Sequence, residues 1–260
     1  MPTLELAKSQ AEMIKKLEEY YNSIRTNIQF SGRNLKVIAL TSSQPNEGKS
    51  TTATNLAISF ARAGLRTLLI DADTRNSVMS GTFRSKESYD GLTSYLSGNA
   101  ELSDVICNTS IDNLMVIPSG KIPPNPTSLI QNDNYERMIE TVRDLYDYVI
   151  IDTPPLGRVV DAAIIAHSSD ASLLVAKPGV DKRRSITKLK DQLEQSGSVF
   201  LGVILNKFDF KADKYGYGYG YGYGYGYGYG KYGKDEKSSK GGKRKSKLQL
   251  VIVKKVLDWD

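Results

Sequence analysis

The 260-residue sequence is poor in reactive side chains, with one cysteine, one histidine and one tryptophan. A single Cys107 cannot close an internal disulfide, and nothing stands near it at the spacing of a metal site, so it reads as a small buried side chain. His167 follows the apolar run Ala162–Ala166 and reads as helix packing or a helix end, so neither a histidine-based triad nor a zinc centre is expected. No run of 18 apolar residues exists, and no membrane-spanning helix is expected. The opening Met1-Pro2-Thr3-Leu4-Glu5 has neither the basic nor the apolar stretch of a secretion signal, which predicts a cytoplasmic chain. Excess charge is also missing from most of the sequence. Residues 231–260 hold ten Lys/Arg against four Asp/Glu, which accounts for the whole net charge of +6, while residues 1–230 balance at 25 of each. The main body therefore gives no electrostatic reason to expect nucleic acid as a partner.

What is present is a rhythm of short apolar strands and helices. Leu4 to Phe30 places Ile14, Leu17, Tyr21, Ile24 and Ile28 at helical spacing and predicts a leading helix. Val37–Leu40, Thr67–Ile70, Leu114–Ile117, Tyr148–Ile151, Ser172–Ala176 and Val199–Leu205 read as strands. Between them lie predicted helices at Thr51–Arg62, Leu92–Leu96, Ser128–Leu145, near 160–167 and at Lys182–Gln195. Alternation of this kind predicts an α/β fold, a mostly parallel sheet with helices on both faces and ligands beyond the carboxyl ends of the strands. The expected divisions are residues 1–32 (leading helix), 33–212 (nucleotide-binding domain) and 213–260 (tail). Residues 213–247 are too rich in glycine, tyrosine and lysine to build a core and are expected to be disordered, whereas Leu248–Val253 is apolar enough for a strand.

The chemistry gathers at the strand ends. Asn46-Glu47-Gly48-Lys49-Ser50-Thr51 lies between a predicted strand and helix and forms the second half of a phosphate-binding loop, with Ser43 where the usual first glycine would stand. Backbone N–H groups of this loop would cradle phosphates at a helix N-terminus, Lys49 would neutralise the β/γ oxygens and Ser50 would offer a hydroxyl to Mg²⁺. Asn46 occupies a turn position where a left-handed backbone is tolerable for asparagine. Asp152, closing the strand Tyr148–Ile151, fits the second metal-holding motif of such sites. Asp71 and Asp73 form another acidic pair at a strand end. Of the two, Asp71 is expected to accept the proton of an incoming hydroxyl and Asp73 to support the metal or the turn, although the spacing alone does not fix that division. Asn206, at the end of the last strand, is a candidate nucleotide contact.

Beyond the domain, Tyr215, Tyr217, Tyr219, Tyr221, Tyr223, Tyr225, Tyr227 and Tyr229 alternate with glycine, and Tyr232 follows. A nucleotide site and a rack of phosphorylatable hydroxyls on one chain suggest an enzyme that carries its own substrate. Together with Ser43–Thr51, Leu69–Arg75 and Ile150–Pro155, the cluster resembles the bacterial tyrosine kinases of capsular and exopolysaccharide synthesis, in their cytoplasmic form. The resemblance implies ATP- and Mg²⁺-dependent autophosphorylation of neighbouring subunits' tails, with Lys49, Asp71, Asp73 and Asp152 as the acting groups and Ser50, Asp73 and Asp152 toward the metal. It also implies assembly into a ring, activation by the cytoplasmic end of a membrane adaptor of the polysaccharide co-polymerase type, location at the inner face of the membrane through that adaptor, and a tyrosine phosphatase as antagonist. The family's Glu-x-x-Arg-x-x-Arg ring contact is represented by Glu19 and Arg25, with Asn22 in place of the first arginine.

Two rival readings share the fold. The switch-type ATPases of cell division and chromosome partitioning carry a lysine where this sequence has Gln44, and they lack a tyrosine tail. A GTPase reading rests on Asn206-Lys207-Phe208-Asp209, a four-residue match without a recognisable switch region.

Overall fold

The computed structural model describes residues 1–85, 87–208 and 249–253. The segment expected to be disordered, and with it all nine tail tyrosines, lies outside the described residues. Six strands run parallel in the spatial order β9 (Val199–Phe208), β8 (Ala171–Ala176), β2 (Val37–Ser42), β7 (Tyr148–Asp152), β3 (Thr67–Asp71) and β6 (Leu114–Ile117). Beyond β6 the sheet continues through β5 (Cys107–Thr109), β1 (Thr3–Leu6) and β4 (Phe83–Arg84). On its other edge, β10 (Gln249–Val253) pairs antiparallel with β9, so the apolar run near the end of the chain adds a strand.

The central strands are apolar on both faces because both faces are covered. Ile38 and Leu40 of β2, Leu69 and Ile150 point to one side, where they meet α1 (Lys8–Ser31) and α2 (Lys49–Arg62) through Leu17, Tyr21, Ile24, Leu56 and Phe60. Val37, Ala39, Leu68, Ile70 and Ile151 point to the other, against α3 (Leu92–Leu96), α6 (Asp133–Leu145) and α7 (Asp161–His167) through Leu92, Leu96, Met138, Ile139 and Ile165. Leu174 and Val203 extend this second face beneath α8 (Arg183–Gln195), meeting Ile186, Leu189 and Leu193. Period-two alternation of side chains thus lets each strand feed two cores, each of which removes large aliphatic surfaces from water.

Some local expectations need correction. Residues Thr3–Leu6, expected in the leading helix, form β1, because Thr3 and Leu4 find parallel partners in Asn108 and Thr109 while Glu5 and Leu6 pair with Arg84 and Phe83. The helix begins only at Lys8. The single helix expected over 128–145 is two, α5 (Pro126–Ile130) and α6. Pro126 starts the first, and Asn132 ends the interval by accepting from the backbone N–H of Asn134, a capping geometry that starts α6 afresh. A short α4 (Leu102–Val105) is started by a reciprocal cap between Glu101 and Asp104.

Candidate active site

The phosphate loop leaves β2 and enters α2 through two left-handed residues, Asn46 at φ 66° and Gly48 at φ 90°. Gln44 N–H donates to the Glu47 carboxylate at 3.0 Å, tightening the turn. From β9, the Asn206 side-chain amide donates to the Glu47 carbonyl at 2.8 Å, and Lys207 Nζ donates to the Asn46 carbonyl at 2.6 Å. Two residues of one strand therefore brace the loop from beneath. Gly48 is required here twice over, by its positive φ and by space, since a Cβ would lie 1.9 Å from Asn206 Nδ2. No side chain caps the N-terminus of α2 at Gly48. The first-turn N–H groups of that helix thus remain free to receive an anion, which fits the phosphates of a nucleotide.

Lys49 sits at the focus. Its Nζ lies 2.5 Å from Asp152 Oδ1, 3.5 Å from Asp73 Oδ2 and 3.2 Å from Ser50 Oγ. Burial alone would favour the neutral amine, but the carboxylates of Asp152 and Asp73 outweigh it and hold Lys49 above its ordinary range. Asp71 and Asp152 stand directly opposite one another as the last residues of paired strands β3 and β7. Burial, reinforced by the Asp152 charge, pushes Asp71 up to about 7, against the opposing pull of the Ser77 hydroxyl and Lys49. Asp71 Oδ1 accepts from Asp73 N–H at 3.2 Å, and Asp71 Oδ2 accepts from Ser77 Oγ at 2.5 Å. Asp73 Oδ1 accepts from Asn76 N–H at 3.1 Å, so this residue shapes the turn after β3 as well as facing Lys49.

A cavity of about 450 Å³ opens beside these groups, lined by the loop from Pro45 to Thr51 together with Asp73, Arg75, Arg158, Asn206 and Lys207. Lys49, Ser50, Asp73 and Asp152 are thus brought together, as the strand-end argument requires. Asn206 reaches the cavity wall while its amide is committed to the loop. Glu47 is buried, and burial together with the facing carboxyl of Asp181 pushes it up to about 8. Glu19 and Arg25 are not brought to this site. Glu19 lies on the exposed side of α1, while Arg25 Nη1 turns inward to Asn22 Oδ1 and to the Ser59 carbonyl and hydroxyl of α2.

Sequence reasoning missed several contributors. Arg75 donates through Nε to Asp161 at 2.7 Å and through Nη2 to Thr127 Oγ1 at 2.9 Å, and Thr127 itself donates to Asp161 at 2.7 Å. This network ties the segment after Asp73 to α5 and α7. Ser77 and Asp181 were also without assigned roles, and Lys207, read only as part of a guanine-reader match, instead holds the Asn46 carbonyl. Only the position of Arg75, two residues beyond Asp73, was a local signal; the others depend on long-range packing.

A family model described as an AAA domain matches residues 35–196. The Tyrosine-protein kinase CpsD of Streptococcus agalactiae serotype III (strain NEM316) is 58% identical over 216 residues, covering 83% of this chain and 93% of that protein. The chain belongs to the bacterial capsular tyrosine kinases. Among solved structures, the kinase domain of Escherichia coli tyrosine kinase ETK superposes on this kinase with a TM-score of 0.72 at 34% identity, covering 78% of this chain and 80% of that one. The septum site-determining protein MinD complexed with Mg-ADP from Pyrococcus horikoshii OT3 reaches a TM-score of 0.56 at 25% identity, covering 65% and 68%. The division-type ATPases therefore share the nucleotide-binding architecture, while sequence and superposition place this chain with the kinases. Among the described residues, no helix is long and apolar enough to cross a membrane.

Proposed function

We propose that this kinase transfers the γ-phosphoryl group of ATP to the tyrosines of its own C-terminal segment, between neighbouring subunits, and thereby regulates capsular or exopolysaccharide synthesis and export. The observation that carries this reading is the convergence of Lys49, Asp73 and Asp152 at the phosphate loop, with Asp71 set beside them at the end of β3. Lys49 would meet the β/γ oxygens and the free N–H groups of α2 the remaining phosphate charge. Ser50, Asp73 and Asp152 supply the hard oxygen donors that Mg²⁺ prefers, and the ion when bound would screen charge on the transferring group. A phenol with a pKa near ~10 is a weak nucleophile at neutral pH, and Asp71 is the group placed to take its proton. Its elevated pKa suits that task, because a base poised near ambient pH accepts a proton readily yet remains substantially ionised.

The phosphoacceptors in this reading are Tyr215 to Tyr229 in alternation, and Tyr232. The partners are a membrane adaptor that activates the kinase and holds it at the inner face of the membrane, a tyrosine phosphatase, and further copies of the chain in a ring. Each phosphate adds about −1.5 to −2 charges, so several on neighbouring tails would repel and loosen the ring. Sizing the assembly before and after phosphorylation tests that regulation; an unchanged mass with several phosphates per chain would exclude it. The activity itself is tested by intact-mass spectrometry after incubation with ATP and Mg²⁺, with and without the adaptor's cytoplasmic segment. Several phosphates mapping to the tail, absent in Lys49→Met, are expected. ADP release with no mass added to any tyrosine would instead support a switch ATPase.

A further inference from the structure

Four cationic side chains line the nucleotide cavity: Lys49, Arg75, Arg158 and Lys207. Three of them are committed within the protein. Lys49 lies between Asp152 and Asp73, Arg75 is paired with Asp161, and Lys207 donates to the Asn46 carbonyl. Arg158 is exposed, and its side chain donates only through Nε, to the neutral Gln44 Oε1 at 3.0 Å. Among the described residues its two Nη groups have no partner and no carboxylate offsets its charge.

The fold holds this charge against the start of the phosphate loop. Strand β7 lies between β2 and β3, so the segment leaving it passes between the phosphate loop and the turn that carries Asp73. Thr41 Oγ1 donates to the Pro154 carbonyl at 3.0 Å, and Leu156 N–H donates to the Ser42 carbonyl at 2.9 Å. Gly157 packs so closely that a Cβ would lie 2.2 Å from the Ser43 carbonyl oxygen. Arg158 therefore stands on the side of the loop where Lys49 meets Asp73 and Asp152. Asn206 and Lys207 reach the loop from β9, on the opposite side of β2. Two carboxylates already share the Lys49 charge, so a terminal phosphate entering there needs a further cation. A guanidinium with both Nη groups unengaged matches the oxygens of a phosphate.

Resting on the ATP-dependent reading above, we propose that Arg158, positioned by Gln44, contacts the γ-phosphoryl oxygens of ATP and stabilises their charge during transfer. Gln44 stands where the switch-type ATPases carry a lysine. It brings no charge of its own, but its side-chain carbonyl holds a guanidinium by Nε and leaves the Nη donors for the nucleotide. A contact confined to the γ-phosphoryl group distinguishes ATP from ADP, which has no phosphate at that place.

The test titrates the full chain, in Mg²⁺, with ADP and with β,γ-imido-ATP, whose γ-phosphate is not transferred. Wild type is compared with Arg158→Ala, Arg158→Lys and Gln44→Ala. Arg158→Ala should raise the Kd for β,γ-imido-ATP by about tenfold or more, the scale of a lost charge-assisted hydrogen bond. Its Kd for ADP should stay at the wild-type value, which also reports an intact phosphate loop. Arg158→Lys keeps the charge without the fork and should fall between wild type and alanine. Gln44→Ala should shift the β,γ-imido-ATP affinity in the same direction by less. Equal losses for the two nucleotides in Arg158→Ala, or no loss for either, would overturn the contact. A Gln44→Ala protein indistinguishable from wild type would overturn the positioning. Tail phosphorylation is measured beside binding, and Arg158→Ala should lower its maximal rate by about a hundredfold or more, approaching what arginines on a transferring phosphoryl group supply; an unchanged rate would overturn the stabilising role. If wild type binds β,γ-imido-ATP yet phosphorylates no tyrosine, the kinase reading fails, while the Arg158 contact is still decided by the two Kd values.

Discussion

Replacing Gly48 by alanine should damage the kinase through one neighbour, Asn206. At φ 90° an alanine is in left-handed backbone space, which costs about 1–2 kcal/mol. Its Cβ would also lie 1.9 Å from Asn206 Nδ2, so the amide must move and release the Glu47 carbonyl that it holds at 2.8 Å. A lost hydrogen bond adds about 1 kcal/mol, and leaving a buried amide without its partner adds about 1 more. The single variant should therefore lose about 3–4 kcal/mol, and Asn206→Ala alone about 1–2 kcal/mol. In the double variant the clash has gone and the same hydrogen bond cannot be lost twice. Its cost should fall short of the sum by about 1–2 kcal/mol, a coupling of the size measured for contacting residues. Denaturant unfolding of all four proteins gives the cycle, and titration with a fluorescent ATP analogue shows whether loop geometry follows stability. Strict additivity would refute the reasoning, because it would mean that Asn206 does not brace the loop against Gly48.

Further perturbations probe the surroundings of the loop. Glu47 has a folded pKa of about 8 against an ordinary 4.5, so the folded state binds more protons between these values and stability should fall as pH rises from about 5 to 8. Glu47→Gln should flatten that slope in melting curves taken across the range, leaving the smaller decline that Asp71 contributes with the same sign. Asp161→Ala removes the buried partner of Arg75 and Thr127 and should cost about 1–3 kcal/mol, read as a lowered melting temperature together with weaker ATP-analogue binding. Wild-type nucleotide affinity in that variant would show that Arg75 needs no such anchor.

The sheet and the phosphate site were legible in the sequence for physical reasons. Val37–Leu40, Thr67–Ile70 and Tyr148–Ile151 had to be buried on both faces, and only a helix-covered parallel sheet provides that. The phosphate loop and Asp71 and Asp152 then followed from their places at strand ends. Thr3–Leu6 was not legible, because a four-residue strand beside an amphipathic helix carries no local mark and exists only through Asn108, Thr109, Arg84 and Phe83. The break at Gln131 and Asn132 was not read, because apolar residues on either side keep helical spacing across it. Ser77 and Lys207 could not be assigned from spacing. A serine six residues beyond an aspartate is commonplace, and Lys207 reaches Asn46 only because β9 ends beneath a loop 161 positions earlier.

The proposed division of roles, Asp71 as base and Asp73 toward the metal, is one that experiment can separate. Asp73 lines the nucleotide cavity and faces Lys49 at 3.5 Å, whereas Asp71 is enclosed and turns one oxygen to Ser77. In the proposed mechanism Asp73 supports the metal and Asp71 receives the proton. Asp73→Asn should raise the Mg²⁺ concentration needed for half-maximal activity by about tenfold or more, the scale of weakened metal support. Asp71→Asn removes the proton acceptor and should lower the maximal rate by about 10²–10⁴ while shifting the Mg²⁺ requirement much less. Each variant is titrated with Mg²⁺ at saturating ATP, with tail phosphorylation as the readout. If Asp71→Asn instead shifts the Mg²⁺ midpoint and Asp73→Asn lowers only the plateau, the roles are reversed.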